Sequence, residues 1–304
     1  MIKLSFLSNW AKILLFVCML LILCTLFKVS RTNKQQEGFE QESEFRLTEG
    51  YDIYDGFYAN IYDHLVYNQA KNNYEIGQIM TETKPTTESI ILDVGSGTGH
   101  HVNMFGSQGM NITGIDISSS MVKKAKENYP KYNFIQGDIL DSSQFNDSTF
   151  THIFCLYFTL YYFPDKAVFF QNAMKWLKPG GYLVIHAVDR EQFDPILPPG
   201  NPLLLVSPQR YAKERITKTS IVFNDMDYAA NFNLDQSKNI ATFDEKFTNR
   251  NSGKVRKNQH KFYMEPTRDI MTKAQNAGFI YQAEIDLIKA GYEYQSLLVF
   301  VKPN

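Results

Sequence analysis

Asp93, a run of alternating glycines and Asp116 are the first residues in this chain whose types and spacing suggest chemistry. The stretch Ile90 to His101 reads I-I-L-D-V-G-S-G-T-G-H-H. Its apolar start suits a strand covered on both faces. Gly95, Gly97 and Gly99 then remove side chains where the chain must turn and let a ligand touch backbone. The following helix presents unpaired N–H groups at its start, where a polar ligand edge can bind. Asp116 stands seventeen residues beyond Gly99 at the tip of the next strand. From there a carboxylate can accept both hydroxyls of a ribose. A dinucleotide loop wants G-x-G-x-x-G, and the third glycine position is His100 here.

These residues need a scaffold, and the chain spells one out. Apolar runs at Ile90–Val94, Ile112–Ile117, Tyr132–Gln136, Phe150–Tyr157 and Tyr182–Val188 are separated by stretches of helical periodicity. Ser118 to Ser120 offer caps for a helix through Met121, Val122 and Ala125, and Pro164 opens another that ends at Leu177. Strands alternating with helices at this spacing make βαβ units and a parallel sheet. Before the glycine loop, Tyr54, Phe57, Tyr58, Ile61, Tyr62 and Leu65 recur three and four residues apart. That is an aromatic helix face which docks on the domain, with some of its tyrosines placed to close over a ligand.

The order of these segments resembles the class I S-adenosylmethionine-dependent methyltransferases, in particular their small-molecule (type 11 or type 25) branch. The likeness covers Tyr51 to Asp189 and resumes at Glu265 to Lys302. Asp93 to Gly99 resembles the family's first motif, Asp116 its ribose acid, and Asp138 its adenine-contacting acid. L-Y-Y-F-P-D at 160–165 stands where the family often has L-H-H-F-P-D, and Lys178 to Gly181 resembles the turn before strand five. The resemblance implies an α/β fold, a Rossmann-like seven-stranded, mostly parallel sheet with helices on both faces and an antiparallel last strand. It implies S-adenosylmethionine as cofactor, held by Asp93, Gly95, Ser96, Gly97, Thr98, Gly99, Asp116, Ile117, Met121, Asp138, Ile139 and Tyr157. No metal ligand set is assigned. The cofactor carries no phosphate, so the glycine backbone packs against its methionine and ribose parts.

Methyl transfer chiefly needs nucleophile, methyl carbon and sulfur held in line, and a base only if the acceptor must lose a proton. Candidates for that base are Tyr161, Tyr162, His186 and Asp189, near the ends of strands four and five. His186 also reads as a core histidine. Tyr58, Tyr62 and Arg190 are expected to cover the substrate. Residues 190–264 interrupt the core with strand-like runs at 220–223, 228–234, 240–247 and 255–264, an insertion over the carboxyl edge of the sheet where ligands bind in such folds. Its basic cluster, Lys254, Arg256, Lys257, His260 and Lys261, reads as a solvated hairpin face before it reads as an anion site. No N/D-P-P-Y or Pro-Cys motif follows strand four, which disfavours methylation of adenine, glutamine or cytosine carbon.

The 304 residues carry a net charge of −1, and residues 35–304 hold 26 basic against 32 acidic groups. That is not the footprint of a nucleic-acid binder. Three cysteines supply no disulfide framework. Residues 13–27 are uncharged and apolar, flanked by Trp10 and Lys12 on one side and Lys28 and Arg31 on the other. They read as an uncleaved single-pass transmembrane helix within 1–28, followed by a flexible linker at 29–50 and a catalytic domain at 51–304. The expected function is methylation of a small-molecule or lipid-like acceptor at a membrane, with the domain on the cytosolic side where the cofactor is made. A protein or RNA acceptor, a non-catalytic cofactor-binding adaptor and a nicotinamide-dependent oxidoreductase are the competing readings. The sequence does not specify an oligomeric state.

Overall fold

A computed structural model describes residues 45–200 and 207–304, with Trp10 and Met19 besides. Apart from Trp10 and Met19, the expected anchor and most of the linker therefore lie outside the described residues, as do residues 201–206 of the insertion. Among the described residues no helix is long and apolar enough to cross a membrane.

Seven strands form the main sheet: β2 (Ile90–Val94), β3 (Asn111–Asp116), β4 (Asn133–Gln136), β5 (Phe150–Cys155), β6 (Leu177–Val188), β11 (Ile280–Asp286) and β12 (Gln295–Val301). Their order is β11-β12-β6-β5-β2-β3-β4. β12 runs antiparallel to both its neighbours, and β2 to β6 are mutually parallel. The expected seven-stranded, mostly parallel architecture is what the chain adopts.

Period-two alternation in fully apolar strands dictates a sheet buried on both sides. Leu92, Ile153, Cys155, Leu183, Ile185, Leu298 and Phe300 face one core, with Ile61 and Leu65 of α1 (Gly56–Val66), Phe169, Phe170 and Trp176 of α5 (Lys166–Trp176), and Ile270 of α6 (Thr267–Asn276). Ile91, Phe154, Val184, Leu297 and Val299 face the other. There they meet Ile76 and Ile79 of α2 (Gln69–Thr83), Val102 and Phe105 of α3 (His100–Gly106) and Val122 of α4 (Ser119–Asn128). Four of these helices start on side-chain caps: Asp55 accepts from Tyr58 N, Asn68 from Lys71 N, Ser118 from Met121 N and Asp165 from Ala167 N.

The insertion forms β7 (Lys218–Val222), β8 (Met226–Asp235), β9 (Ile240–Asn249) and β10 (Val255–Tyr263), close to the expected strands. They build a second sheet in the order β1-β10-β9-β8-β7. Its fifth member corrects the linker expectation. Residues 45–49 are β1, paired parallel with β10, and Gly50–Ile53 is a 3-10 turn. The edge of β10 pairs with this polar segment along its backbone, and Arg46 adds an ion pair to Asp55 at 3.2 Å. The basic cluster also differs from expectation. Lys257 and Lys261 are exposed, but Arg256 and His260 are buried on the inner face with Asn258 and Phe262. That face packs onto the main domain through aromatic contacts such as Phe158–Phe262, Phe193–Phe232 and Phe57–Phe247, with ring centroids 5.5, 5.2 and 5.3 Å apart.

Candidate active site

The carboxyl ends of β2, β3, β4 and β5 open into a cleft with about 1100 Å³ of empty space, its open mouth included. Asp93, Gly95, Ser96, Gly97, Thr98, Asp116, Ile117, Met121, Asp138, Ile139 and Tyr157 all line it, so eleven of the twelve expected cofactor residues converge. Gly99 is the exception. Its φ of 90° starts α3, and a Cβ there would lie 2.7 Å from Phe134 Cζ. Gly99 serves the packing of the loop on β4, not the cleft. Gly97, with φ 53°, does open the cleft: a Cβ there would point toward Tyr62 at 3.7 Å.

Asp116 is fixed by the loop it faces. Its Oδ2 accepts from Gly97 N at 2.9 Å and its Oδ1 from Ser118 N at 2.9 Å. Burial raises its pKa, and the two N–H groups work against that shift. Each oxygen keeps a lone pair for a diol. Asp93 is buried, and its Oδ2 has no hydrogen-bond partner among the described residues. Burial first, and then the charge of Asp116, push its pKa up to about 6, against a lowering by His101. Such an orphaned acceptor fits the amino group of a methionine tail. Asp138 Oδ1 accepts from Leu140 N at 2.9 Å, an Asx turn that presents Ile139 to the cleft. The residues present fit S-adenosylmethionine.

Two residues lining the cleft, Asp63 and His100, were not among those expected from sequence to hold the cofactor. Asp63 of α1 accepts from Thr98 Oγ1 at 2.6 Å and pairs with His100 Nε2 at 3.0 Å. Burial opposes its charge, but the hydrogen bond and charge of His100 prevail and hold the carboxyl below its ordinary range. His100 stacks on Tyr67 at 3.9 Å. The absence of the third glycine, noted from the sequence, was the available signal for His100; Asp63 had none beyond its place beside Tyr62. Tyr157 takes a left-handed φ of 51° at the end of β5. It donates to Asn72 Oδ1 at 2.5 Å, beneath the Lys71 ammonium 3.7 Å from its ring. A bulky residue at positive φ is a strained placement of the kind found at ligand sites.

A second cavity, with about 820 Å³ of empty space including its open mouth, adjoins the first, and Tyr54, Tyr62, Val66, Tyr157, Phe158 and Tyr162 line both. Its remaining wall is largely apolar, with Phe193, Ile196, Leu197, Phe232, Phe243 and Phe262. Of the expected base candidates, Tyr162 and His186 line it. His186 Nδ1 lies 2.7 Å from Tyr157 O; burial and the Lys71 charge push its pKa down to about 4, so it is neutral at pH 7. Tyr161 and Asp189 line neither cavity. The buried Tyr161 hydroxyl accepts from Val188 N at 2.9 Å and is structural. Asp189 is a turn cap, accepting from Glu191 N and Gln192 Nε2. Tyr58 and Tyr62 line the second cavity as expected of covering residues. Arg190 does not: its Nη1 donates to Asn239 Oδ1 and Met264 O, stitching the insertion to itself.

Comparison with known proteins agrees with this geometry. Residues 92–185 match the family model described as "Methyltransferase domain". The chain is 29% identical over 127 residues to a ubiquinone biosynthesis O-methyltransferase of Rickettsia bellii, covering 40% of this chain and 52% of that protein. It is 30% identical over 146 residues to a demethylmenaquinone methyltransferase of Chlorobaculum parvum, covering 48% and 56%. The chain thus spans about half the length of these relatives. Among solved structures it resembles the CcbJ methyltransferase from Streptomyces caelestis, with a TM-score of 0.63 at 14% identity over 83% of this chain and 98% of that one, a likeness of fold. The matched segment marks a methyltransferase domain at residues 92–185, and the strand order around it is the fold shared with that solved structure.

Proposed function

We propose that this chain transfers a methyl group from S-adenosylmethionine to a small apolar acceptor held in the second cavity. The observation that carries the reading is the shared wall: five aromatic residues, Tyr54, Tyr62, Tyr157, Phe158 and Tyr162, line both the cofactor cleft and the apolar cavity. Asp93 would hold the amino group of the cofactor, Asp116 the ribose hydroxyls, and Asp138, Ile139 and Met121 the adenine. The cofactor supplies an electrophilic methyl carbon on a sulfonium. The chain supplies position and dryness: the aromatic wall orients the acceptor and excludes water from between the two ligands. The relatives' names point the same way, since those proteins are named for quinone-type substrates.

The amino-terminal apolar segment would tether this domain to a membrane on its cytosolic side, close to an apolar substrate. Two tests apply. Labelled methyl transfer by the full chain into a cell extract, fractionated into lipid, small molecule, protein and RNA, should label the first two; label only in protein or RNA would overturn the acceptor assignment. Glycosylation of Asn111 or Asn146, each in a sequon, would overturn the cytosolic placement.

A further inference from the structure

The inner face of the second sheet carries a buried polar chain that cofactor binding does not use. His260 of β10 is 2% exposed, and its Nδ1 lies 2.5 Å from the Tyr162 hydroxyl. Tyr54 donates its own proton to the Tyr162 oxygen at 2.7 Å, so Tyr162 donates onward to His260 Nδ1. His260 Nε2 then donates to Glu245 Oε2 at 2.8 Å. Glu245 of β9 is fully buried and receives three further bonds, from Asn258 at 3.0 Å, Tyr228 at 2.7 Å and Tyr58 at 3.1 Å. Burial opposes its charge, but His260 and the donors around it prevail, and its pKa is lowered.

Resting on the methyltransferase reading above, we propose that Tyr162, His260 and Glu245 form a proton relay, and that the acceptor atom is a phenolic hydroxyl oxygen. Tyr162 and His260 line the apolar cavity, and Tyr162 also lines the cofactor cleft. Tyr162 touches the acceptor; His260 and Glu245 are positioning residues acting through it. The acceptor O–H proton passes to the Tyr162 oxygen while the Tyr162 proton passes to His260 Nδ1. An O–C bond forms as the C–S bond breaks, the electron pair of that bond stays on sulfur, and a neutral thioether leaves. The positive charge lost from sulfur ends on the His260 imidazolium, beside the Glu245 carboxylate, until solvent takes the proton.

The surroundings favour a phenol over other acceptors. A phenol lies closer in acidity to an imidazolium than an aliphatic alcohol does, so an imidazole relay serves it with the smaller proton-transfer mismatch. An amine binding as its ammonium would need a free carboxylate. Asp194, which lines the cavity, already accepts from Ser207 and Gln209, and Glu245 is committed to its four donors. The other ionisable groups near His260 are accounted for. Tyr54 and Tyr58 face it from α1 and the turn before it, Tyr162 from the turn after β5, and Tyr228 reaches it through Glu245. Arg256 on the same strand face is neutralised by Asp55 at 2.8 Å, and Lys71 and His186 also line the cavity.

The test uses the full chain with 4-nitrophenol, whose ionised form absorbs visible light. Bound to the native protein, it should ionise with a midpoint at least about one pH unit below that of the free probe. His260→Gln and Glu245→Gln should return the midpoint to the free value while calorimetric affinity for S-adenosylhomocysteine stays within twofold; Tyr162→Phe should abolish the shift. With labelled cofactor, 4-hexylphenol should be methylated and 4-hexylaniline should not. His260→Gln should lower kcat about 100-fold or more with little change in KM. A native midpoint equal to that of free probe, or a lowered one that survives His260→Gln, overturns the relay. Methylation of the aniline alone, or failure to bind the phenol, overturns the acceptor assignment. Failure of the native chain to bind S-adenosylhomocysteine overturns the methyltransferase reading and the relay with it.

Discussion

Asp93 offers the sharpest check on the cofactor site, because its charge is costly to the empty fold and useful to the ligand. The side chain is 1% exposed with one oxygen unpartnered, and its pKa rises from 3.8 to about 6. The folded value lies above the unfolded one, so the folded state holds the extra proton. The resulting stabilisation is complete below the unfolded value, is lost as pH rises through about 6, and amounts to ~3 kcal/mol for a shift of this size. Binding reverses the preference. An amino group held at Asp93 needs the carboxylate, so below about 6 the ligand must displace a proton, and its Kd should rise about tenfold per pH unit. Above that value the Kd should be flat. S-adenosylhomocysteine is the right probe, since it keeps the amino group and lacks the sulfonium. Calorimetry in two buffers of different ionisation enthalpy counts the released proton. Asp93→Asn is nearly isosteric: it should remove the pH slope, leave the protein at least as stable at neutral pH, and weaken binding by ~1.5–3 kcal/mol, the worth of a charged hydrogen bond. A pH-independent Kd without proton release, or unchanged affinity in Asp93→Asn, would refute the reasoning.

Four further outcomes follow from the same geometry. Gly95→Ala places a Cβ 2.4 Å from Thr159 Cγ2 at a φ of 66°, so it should destabilise the protein by about 1–3 kcal/mol and abolish cofactor binding, read by melting and calorimetry. Asp116→Asn turns an acceptor of Gly97 N and Ser118 N into a group that can satisfy only one of them, and S-adenosylhomocysteine affinity should fall at least about tenfold. Arg256→Leu removes the buried guanidinium that holds Asp55 at 2.8 and 2.9 Å, leaving that partly exposed carboxylate only Arg46 and Tyr58 N, and should cost ~1–3 kcal/mol in denaturant unfolding. Arg46→Ala, removing the exposed partner of the same carboxylate, should cost less than about 1 kcal/mol.

Local repetition made much of this molecule legible. The strands of the main sheet are contiguous apolar runs, and the cofactor residues sit at their ends, so reading the runs placed Asp93, Asp116 and Asp138 together. What escaped was set by partners distant in the chain. Phe45 to Glu49 has only Thr48 buried and is a strand because β10 needed an edge partner. Tyr161 and Tyr162 are neighbours with the same side chain, yet a single 3-10 turn sends one hydroxyl to Val188 N and the other to His260. On β10 the buried residues Arg256, Asn258 and His260 are polar, so the alternation that marks an apolar core strand reads as solvent exposure. Buried polar faces are invisible to hydrophobic periodicity, and they are where a binding site spends its hydrogen bonds.

The segment from β1 to α1 explains how two sheets make one site. Asp55 caps α1 and grips Arg256 of the second sheet. The neighbouring Tyr54 carbonyl accepts from Ser118 Oγ at 2.5 Å, and Ser118 N is the donor that fixes Asp116. The Tyr54 hydroxyl in turn donates to Tyr162, and through it reaches His260. One residue therefore touches both the helix start behind Asp116 and the polar chain behind the apolar cavity. Cradle and acceptor wall are held in mutual register by hydrogen bonds, not by apolar packing alone, which fixes distances more sharply than a surface that can slide. In-line methyl transfer depends on that distance. The fold places this polar connection at the junction of the two cavities, where a displacement of one ligand relative to the other would cost rate.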